Sequence, residues 1–190
     1  MGIEKLLSRK EVVFRNGRAA SHIYKVESGC IRTYANGHDG RRLIIAFYFP
    51  SDYFGLELRK KHLISAEAIT ASRVLAIRTK SLISGAANNI AVAKQMLAIT
   101  NVELRRAQNH SLLLRNYSAS ERVAYFLIEM KQRNRQKEVE LVMSRQDIAD
   151  YLSLTIETVS RSLKQLKKQS AISRVTNRSV IVHLRKRLAA

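Results

Sequence analysis

The chain has 190 residues, 46% of them apolar, enough to bury one large core or two small ones. Its 34 Lys and Arg stand against 15 Asp and Glu, a formal charge of +19, which is far beyond what solubility needs and marks a chain that seeks polyanions. A single cysteine, Cys30, excludes an internal disulfide and a cysteine-held cluster, and the five histidines show no ligand spacing, so no metal site is expected.

The longest apolar run, residues 43–49, is too short for a bilayer, which takes ~20 residues. The start, MGIEKLLSRK, has no signal-peptide core. A cytoplasmic protein without membrane association is expected, with nucleic acid as the first polyanion to consider and an anionic membrane surface as the second. Charge does not locate the site, because residues 1–115 carry +11 and residues 116–190 carry +8.

The first eighty residues read as β. EVVFR (11–15), HIYKV (22–26), CIRTYA (30–35), RRLIIAFYF (41–49), ISAEAIT (64–70) and RVLAIR (73–78) are short and rich in β-branched or aromatic residues. Between them lie Asn16-Gly17, Ser28-Gly29, Asn36-Gly37, Asp39-Gly40 and Pro50-Ser51-Asp52, all turn signals. Many short strands at this spacing predict a sandwich or roll.

The pattern changes near residue 88. From Asn89 to about Arg115 there is no Gly or Pro, and apolar or small residues recur at Ile90, Ala93, Leu97, Thr100, Leu104, Ala107, Ser111 and Leu114. Their spacing alternates three and four, as in a coiled-coil seam. It fits a helix lying on the β domain and equally a helix pairing with its twin. Asn116-Tyr117-Ser118 reads as a break, and Ser118 with Glu121 forms a capping box for a helix bearing Val123, Leu127 and Met130 on one face, which ends in the polar run Lys131 to Glu138.

Residues 145–168, RQDIADYLSLTIETVSRSLKQLKK, predict two short helices joined by a tight turn. Ser144 is an N-cap with Asp147 placed to reach back, and Ile148 and Leu152 share a face. Thr155 caps the second helix, which is expected to bury Ile156, Val159, Leu163 and Leu166, while small Ala149 lets the two helices approach. The outer face then carries Glu157, Ser160, Arg161, Lys164 and Lys168. Arg161 suits guanine O6 and N7, Glu157 suits cytosine N4, and Ser160 pairs either way, in the two turns where a recognition helix meets base edges. Lys164, Lys167 and Lys168 suit phosphates, as do Thr155 and the helix N-terminus, and Ser144, Arg145 and Thr158 are assigned to the DNA backbone with them. The plain alternative is an amphipathic helical hairpin with a solvated charged face.

AISRV (171–175), a turn at Thr176-Asn177 and RSVIVHL (178–184) read as a hairpin in the position of a wing. Arg174, Asn177 and Arg178 are expected at backbone phosphates, or the hairpin merely covers the helices.

MSRQDIADYLSLTIETVSRSLKQLKK (143–168), GRRLIIAFYFPSDYFGLE (40–57) and YKVESGCIRTY (24–34) together resemble the Crp/Fnr family of bacterial transcription regulators, in particular its Fnr and FixK-like branch. The resemblance covers nearly the whole chain, and the C-terminal motif is its most specific part. It implies an α+β fold: an N-terminal β-roll of the cyclic-nucleotide-binding jelly-roll kind over residues 1–87, a long dimerisation helix over 88–116, and a C-terminal winged helix-turn-helix over 117–190. It further implies a homodimer on double-stranded DNA, paired along the 90–114 seam. Such a dimer touches RNA polymerase and typically activates transcription, though some members repress. Glu157, Ser160 and Arg161 match a Glu-x-x-Ser-Arg face that, in the family, reads a palindrome of TTGAT-like half-sites.

Departures from the family pattern shape the remaining expectations. Oxygen-sensing members hold an iron–sulfur cluster on several N-terminal cysteines, and Cys30 alone excludes it. Members that bind cyclic AMP use Gly-Glu and a later Arg-Ser/Thr. Here Leu56 separates Gly55 from Glu57, and AEAIT (66–70) supplies no Arg, so no cyclic nucleotide and no cofactor are expected. FixK-like members often need no ligand, which makes a ligand-free regulator the leading reading. Strand-like residues appear by Glu11, earlier than the family norm. Serines at 51, 153 and 170 replace expected turn glycines, at roughly 1 kcal/mol each where positive φ is kept. The competing readings are an effector-gated regulator with a pocket near Gly55 and Glu57, and a basic protein that binds nucleic acid without sequence preference. No catalytic dyad or phosphate loop points to an enzyme.

Overall fold

The computed structural model describes residues 2–37, 40–57, 60–134, 138–173, 175–176 and 178–183. The chain forms two compact units, Met1–Gln108 and Asn109–Ala190, with the boundary inside one helix.

Eight strands of the first unit make two antiparallel four-stranded sheets. One has the order β1 (Ile3–Leu7), β8 (Ser72–Arg78), β3 (His22–Ser28), β6 (Tyr53–Phe54), and the other β2 (Val12–Phe14), β7 (Ser65–Ala68), β4 (Ile31–Asn36), β5 (Arg42–Tyr48). Period-two alternation sets their faces: Ile31 and Thr33 on β4, and Val74 and Ala76 on β8, are buried, while the residues between them are not.

Aromatic rings fill the interior. Phe54 lies 5.2 Å from Tyr24, 5.3 Å from Tyr48 and 6.1 Å from Phe14, and His62 stacks flat on Phe14 at 3.7 Å. Two glycines are dictated by this packing. Gly29 (φ +83) passes so close to Ala71 and Ser72 that a Cβ would clash, and a Cβ at Gly55 (φ +72) would sit 3.2 Å from the rings of Phe14 and Tyr24.

The roll is therefore as the sequence implied, with three elements added. β1 precedes the first expected strand, β6 occupies two residues beside the Pro50–Asp52 turn, and a helix α1 (Thr79–Asn88) closes the roll. Helix α2 (Ile90–Asn116) follows over nearly the predicted span.

In the second unit, Ser118 and Glu121 make the expected box: Glu121 Oε2 accepts from the Ser118 amide at 2.8 Å and its hydroxyl at 2.7 Å. Helix α3 (Ala119–Asn134) buries Val123, Phe126, Leu127 and Met130, each such side chain contributing ~1.5–3 kcal/mol. After it comes β9 (Glu138–Glu140), a strand that the polar run had hidden. Then come α4 (Arg145–Leu152), α5 (Ile156–Lys168), β10 (Ile172–Ser173) and β11 (Ser179–Val182). The three strands form one antiparallel sheet in the order β10-β11-β9, so the wing hairpin is tied to the segment that precedes α4.

Candidate nucleic-acid interface

Both helices of the reading motif are fixed at their starts by their own side chains. Ser144 Oγ accepts from the Asp147 amide at 3.0 Å, and Asp147 Oδ2 accepts from the Ser144 amide at 3.0 Å and hydroxyl at 2.8 Å. Thr155 Oγ1 accepts from the Thr158 amide at 3.2 Å. Between them the turn is made at Ser153, whose left-handed backbone (φ 54, ψ 46) lets its amide and that of Leu154 return to the Ala149 carbonyl. This is one of the three serines predicted at glycine-like positions. All three have positive φ: Ser51 at 77, Ser153 at 54 and Ser170 at 57.

Ile148, Ala149 and Leu152 of α4 and Val159, Leu163 and Leu166 of α5 are buried as expected. Ile156 is not: it is 37% exposed, and Ser162 takes a place in the core instead. Ile156 is the first residue of α5, and a helical side chain leans toward the N-terminus. There is no preceding turn for it to cover, so it projects past the end of the contact.

Glu157, Ser160, Arg161, Lys164 and Lys168 all lie on the exposed face. Arg161 Nη2 donates to Thr158 Oγ1 at 3.3 Å, one turn back, and Ser160 Oγ donates to the Ile156 carbonyl at 2.9 Å, leaving its lone pairs outward. The Glu157 carboxyl is held below the usual carboxylate range, first by its own amide, then by the Thr155 hydroxyl and the Arg161 charge. It is therefore an acceptor at neutral pH.

Arg145 is half-buried, and burial pulls its pKa down. Its Nη2 donates to the Thr176 carbonyl at 2.8 Å, which braces the turn of the hairpin, and Thr176 Oγ1 accepts from the amides of Arg178 and Ser179. Arg178 is exposed. Arg174 and Asn177 lie outside the described residues.

One organising residue was not visible in the sequence. Arg122 on α3 donates through Nε to the Tyr117 carbonyl at 2.9 Å, through Nη1 to Leu152 at 3.2 Å and through Nη2 to Leu114 at 2.6 Å. Leu114 and Leu152 are in the last turns of α2 and α4, where carbonyls lack helical partners and the dipole favours a cation. A planar fork with three donating nitrogens is needed, which only arginine supplies. No local pattern announces a side chain that joins residues 30 positions apart.

Along the expected seam of α2, Ile90, Leu97, Thr100, Leu104, Ala107 and Ser111 are exposed, while Ala93 and Leu114 are half-buried. Among the described residues no group of three or more His, Cys, Asp or Glu is placed to hold a metal ion, and no helix is long and apolar enough to cross a membrane.

Two capped helices at a tight turn, a second helix with an exposed polar face and a three-stranded wing sheet define a DNA-binding winged helix-turn-helix protein that also carries a jelly-roll domain. The profile of the Crp-like helix-turn-helix domain matches residues 121–190, and that of the cyclic nucleotide-binding domain matches residues 4–89. The nitrogen fixation regulation protein FixK of Azorhizobium caulinodans is 39% identical over 194 residues, spanning 99% of this chain and 78% of that protein. FixK of Rhizobium meliloti is 38% identical over 162 residues, spanning 85% and 74%. The solved structure of FixK2 from Bradyrhizobium japonicum matches with a TM-score of 0.92 at 40% identity, over 99% of this chain and 96% of that one. The chain belongs to the Crp/Fnr family of transcription regulators and is of the FixK type. The relatives it matches are regulatory proteins.

Proposed function

We propose that the protein acts as a homodimer that reads a palindrome of TTGAT-like half-sites, needs no small-molecule effector, and activates transcription by touching RNA polymerase. The observation that carries this reading is the Glu157–Ser160–Arg161 face, polar and exposed on a helix anchored at both its cap and its core. Glu157, an ionised acceptor, meets a cytosine amino group; Arg161 takes guanine; Ser160 accepts as it stands and donates once its hydroxyl turns from the Ile156 carbonyl. Ser144, Arg145, Thr155, Thr158, Lys164, Lys168 and Arg178 supply backbone contacts, of which Arg145 also holds the wing. The α2 seam pairs the two copies and sets their reading helices about one DNA turn apart, ~34 Å.

The absence of an effector is supported from the roll. A cyclic nucleotide does not fit the residues present. The aromatic stack of Phe14, Tyr24, Tyr48, Phe54 and His62 occupies the interior, and Glu57 already accepts from the Leu63 amide at 3.1 Å beside His62 Nδ1 at 3.4 Å. No arginine stands at 64–70 to meet a phosphate. One feature favours the effector-gated alternative: an open groove of about 490 Å³ on the first unit, lined by His22, Glu57, Lys60, Arg78, Lys80 and Ile83 among others.

Fluorescence anisotropy of the purified protein on a TTGAT-N4-ATCAA duplex and a scrambled duplex, at physiological salt with reductant and no additive, tests the reading. A preference of about a hundredfold or more is expected, a modest threshold beside the ~10³–10⁷ that usually separates specific from non-specific binding. Equal binding to both would leave only the charge. Binding rescued by an added small molecule would move the assignment to the gated form.

A further inference from the structure

Helix α2 carries two stripes one residue apart. Val92, Met96, Ile99, Glu103 and Arg106 are half-buried, while Leu97 and Leu104, about 100° round the helix from the neighbouring positions 96 and 103, are 71% and 55% exposed. A small turn of the helix on the roll would therefore hide the seam or expose its wrong flank. The apolar members of the inner stripe resist such a turn weakly, because none is fully buried.

The polar members are held from two directions. Tyr48 on β5 donates its hydroxyl to Glu103 Oε2 at 2.9 Å. Arg106 donates to Glu103 Oε1 at 2.9 Å and to Asp52 Oδ1 at 3.2 Å, with its guanidinium 4.9 Å from the centre of the Tyr48 ring. Asp52 is itself fixed. Its other carboxylate oxygen accepts from the Phe49 amide at 3.0 Å, and its turn is hydrogen-bonded both ways to Val26 on β3. The chain of bonds thus runs from one sheet, through the turn at Ser51, to the helix and back to the other sheet. The side chains of Arg106 and Asp52 are only 13% and 19% exposed, so water competes little. Burial raises the Tyr48 hydroxyl far above its ordinary range and keeps it a donor at any working pH.

We propose that Tyr48, Asp52, Glu103 and Arg106 form a clamp that sets the rotation of α2 on the roll and presents the dimer seam in place of an effector, with Arg106 as the positioning residue. The clamp rests on the reading of the seam as a contact between two copies.

Cysteine cross-linking separates the two claims. In a Cys30→Ser background, Leu104→Cys and Gln108→Cys chains are oxidised in the dark with copper phenanthroline, each with the clamp intact and with Arg106→Met or the milder Tyr48→Phe. With the clamp intact, the interchain disulfide forms at least tenfold faster at position 104 than at 108. In both clamp variants, with the roll's thermal transition still present, that ratio falls toward one, and affinity for the palindromic duplex falls tenfold or more. An unchanged ratio in a folded Tyr48→Phe chain overturns the clamp. No cross-link at 104 in the clamp-intact chain overturns the dimer seam instead.

Discussion

Arg161 and Lys168 both carry a positive charge on the outer face of α5, but they are assigned different work, and substitution separates them. Arg161→Ala is expected to lose ~1–3 kcal/mol on the right operator and to relax the preference at one base pair. Lys168→Ala should weaken operator and scrambled duplex alike and reduce the slope of log affinity against log salt by about one phosphate's worth. Equal losses on the two duplexes for both variants would refute the division. At the same scale, Ser170 (φ 57) sits where glycine is at ease. Ser170→Gly should raise the unfolding free energy in urea by ~0.5–1 kcal/mol, the relief of left-handed strain less the added freedom of the unfolded chain. The three strained serines were legible because each stands where the family resemblance leads one to expect a turn glycine. Ile156 was misjudged because heptad-like spacing does not reveal that the first residue of a helix has no turn beneath it.

Among the elements, those with local punctuation could be read in advance. α4 and α5 are bracketed by Ser144, Ser153 and Thr155, and the two caps and the turn contain nearly all the information needed to place the reading face. α1, β6 and β9 have no such marks. The two strands are two and three residues long and owe their existence to partners far along the chain: β6 to β3, and β9 to β11. β1, an edge strand over IEKLL, was not among the expected strands: its two charged residues and its four exposed positions give no clean alternation, and only Leu7 is buried. Arg122 belongs to the same class of features created by the fold. Arg122→Lys keeps the charge but loses the fork. It should leave affinity for a single half-site within about twofold while lowering affinity for the palindrome and flattening its dependence on spacer length, because the C-terminal turns of α2 and α4 are no longer held together. A spacer profile as sharp as that of the unaltered chain would show that Arg122 only stabilises the unit.

For the whole molecule, acid should be destabilising in a defined window. Burial is the main cause holding the pKa values of His62 and His110 below their ordinary value of 6.5. The unfolded chain then takes up these protons first as pH falls. Stability is full above about 6.5 and is lost between there and the depressed native values, below which these two groups contribute no further change. The unfolding free energy in urea should be lower at pH 5.5 than at 7.5, and His110→Gln should shrink the difference. An undiminished difference would move the effect to other groups. Strand spacing pointed to a sandwich or roll, and caps, hairpin and family resemblance to the winged motif, while the bonds of Arg106 and Arg122 were not legible because they join groups distant in sequence.

The pairing of β9 with β11 has a consequence for how the protein is made. Glu138–Glu140 is synthesised before the reading helices, and its partner Ser179–Val182 emerges after them. The two helices are thus the contents of a loop that closes only when β11 leaves the ribosome, and loop closure must come before the contacts that reward it. A chain ending before Ser179 retains Glu157, Ser160 and Arg161, yet it should be cut by trypsin between α4 and α5 much faster than the full chain and should fail to prefer the palindrome. Reading the proposed palindrome in this sense waits on β11: translation has to pass Val182 before the motif is closed, and a product cut short of that strand is barred from competing for the site.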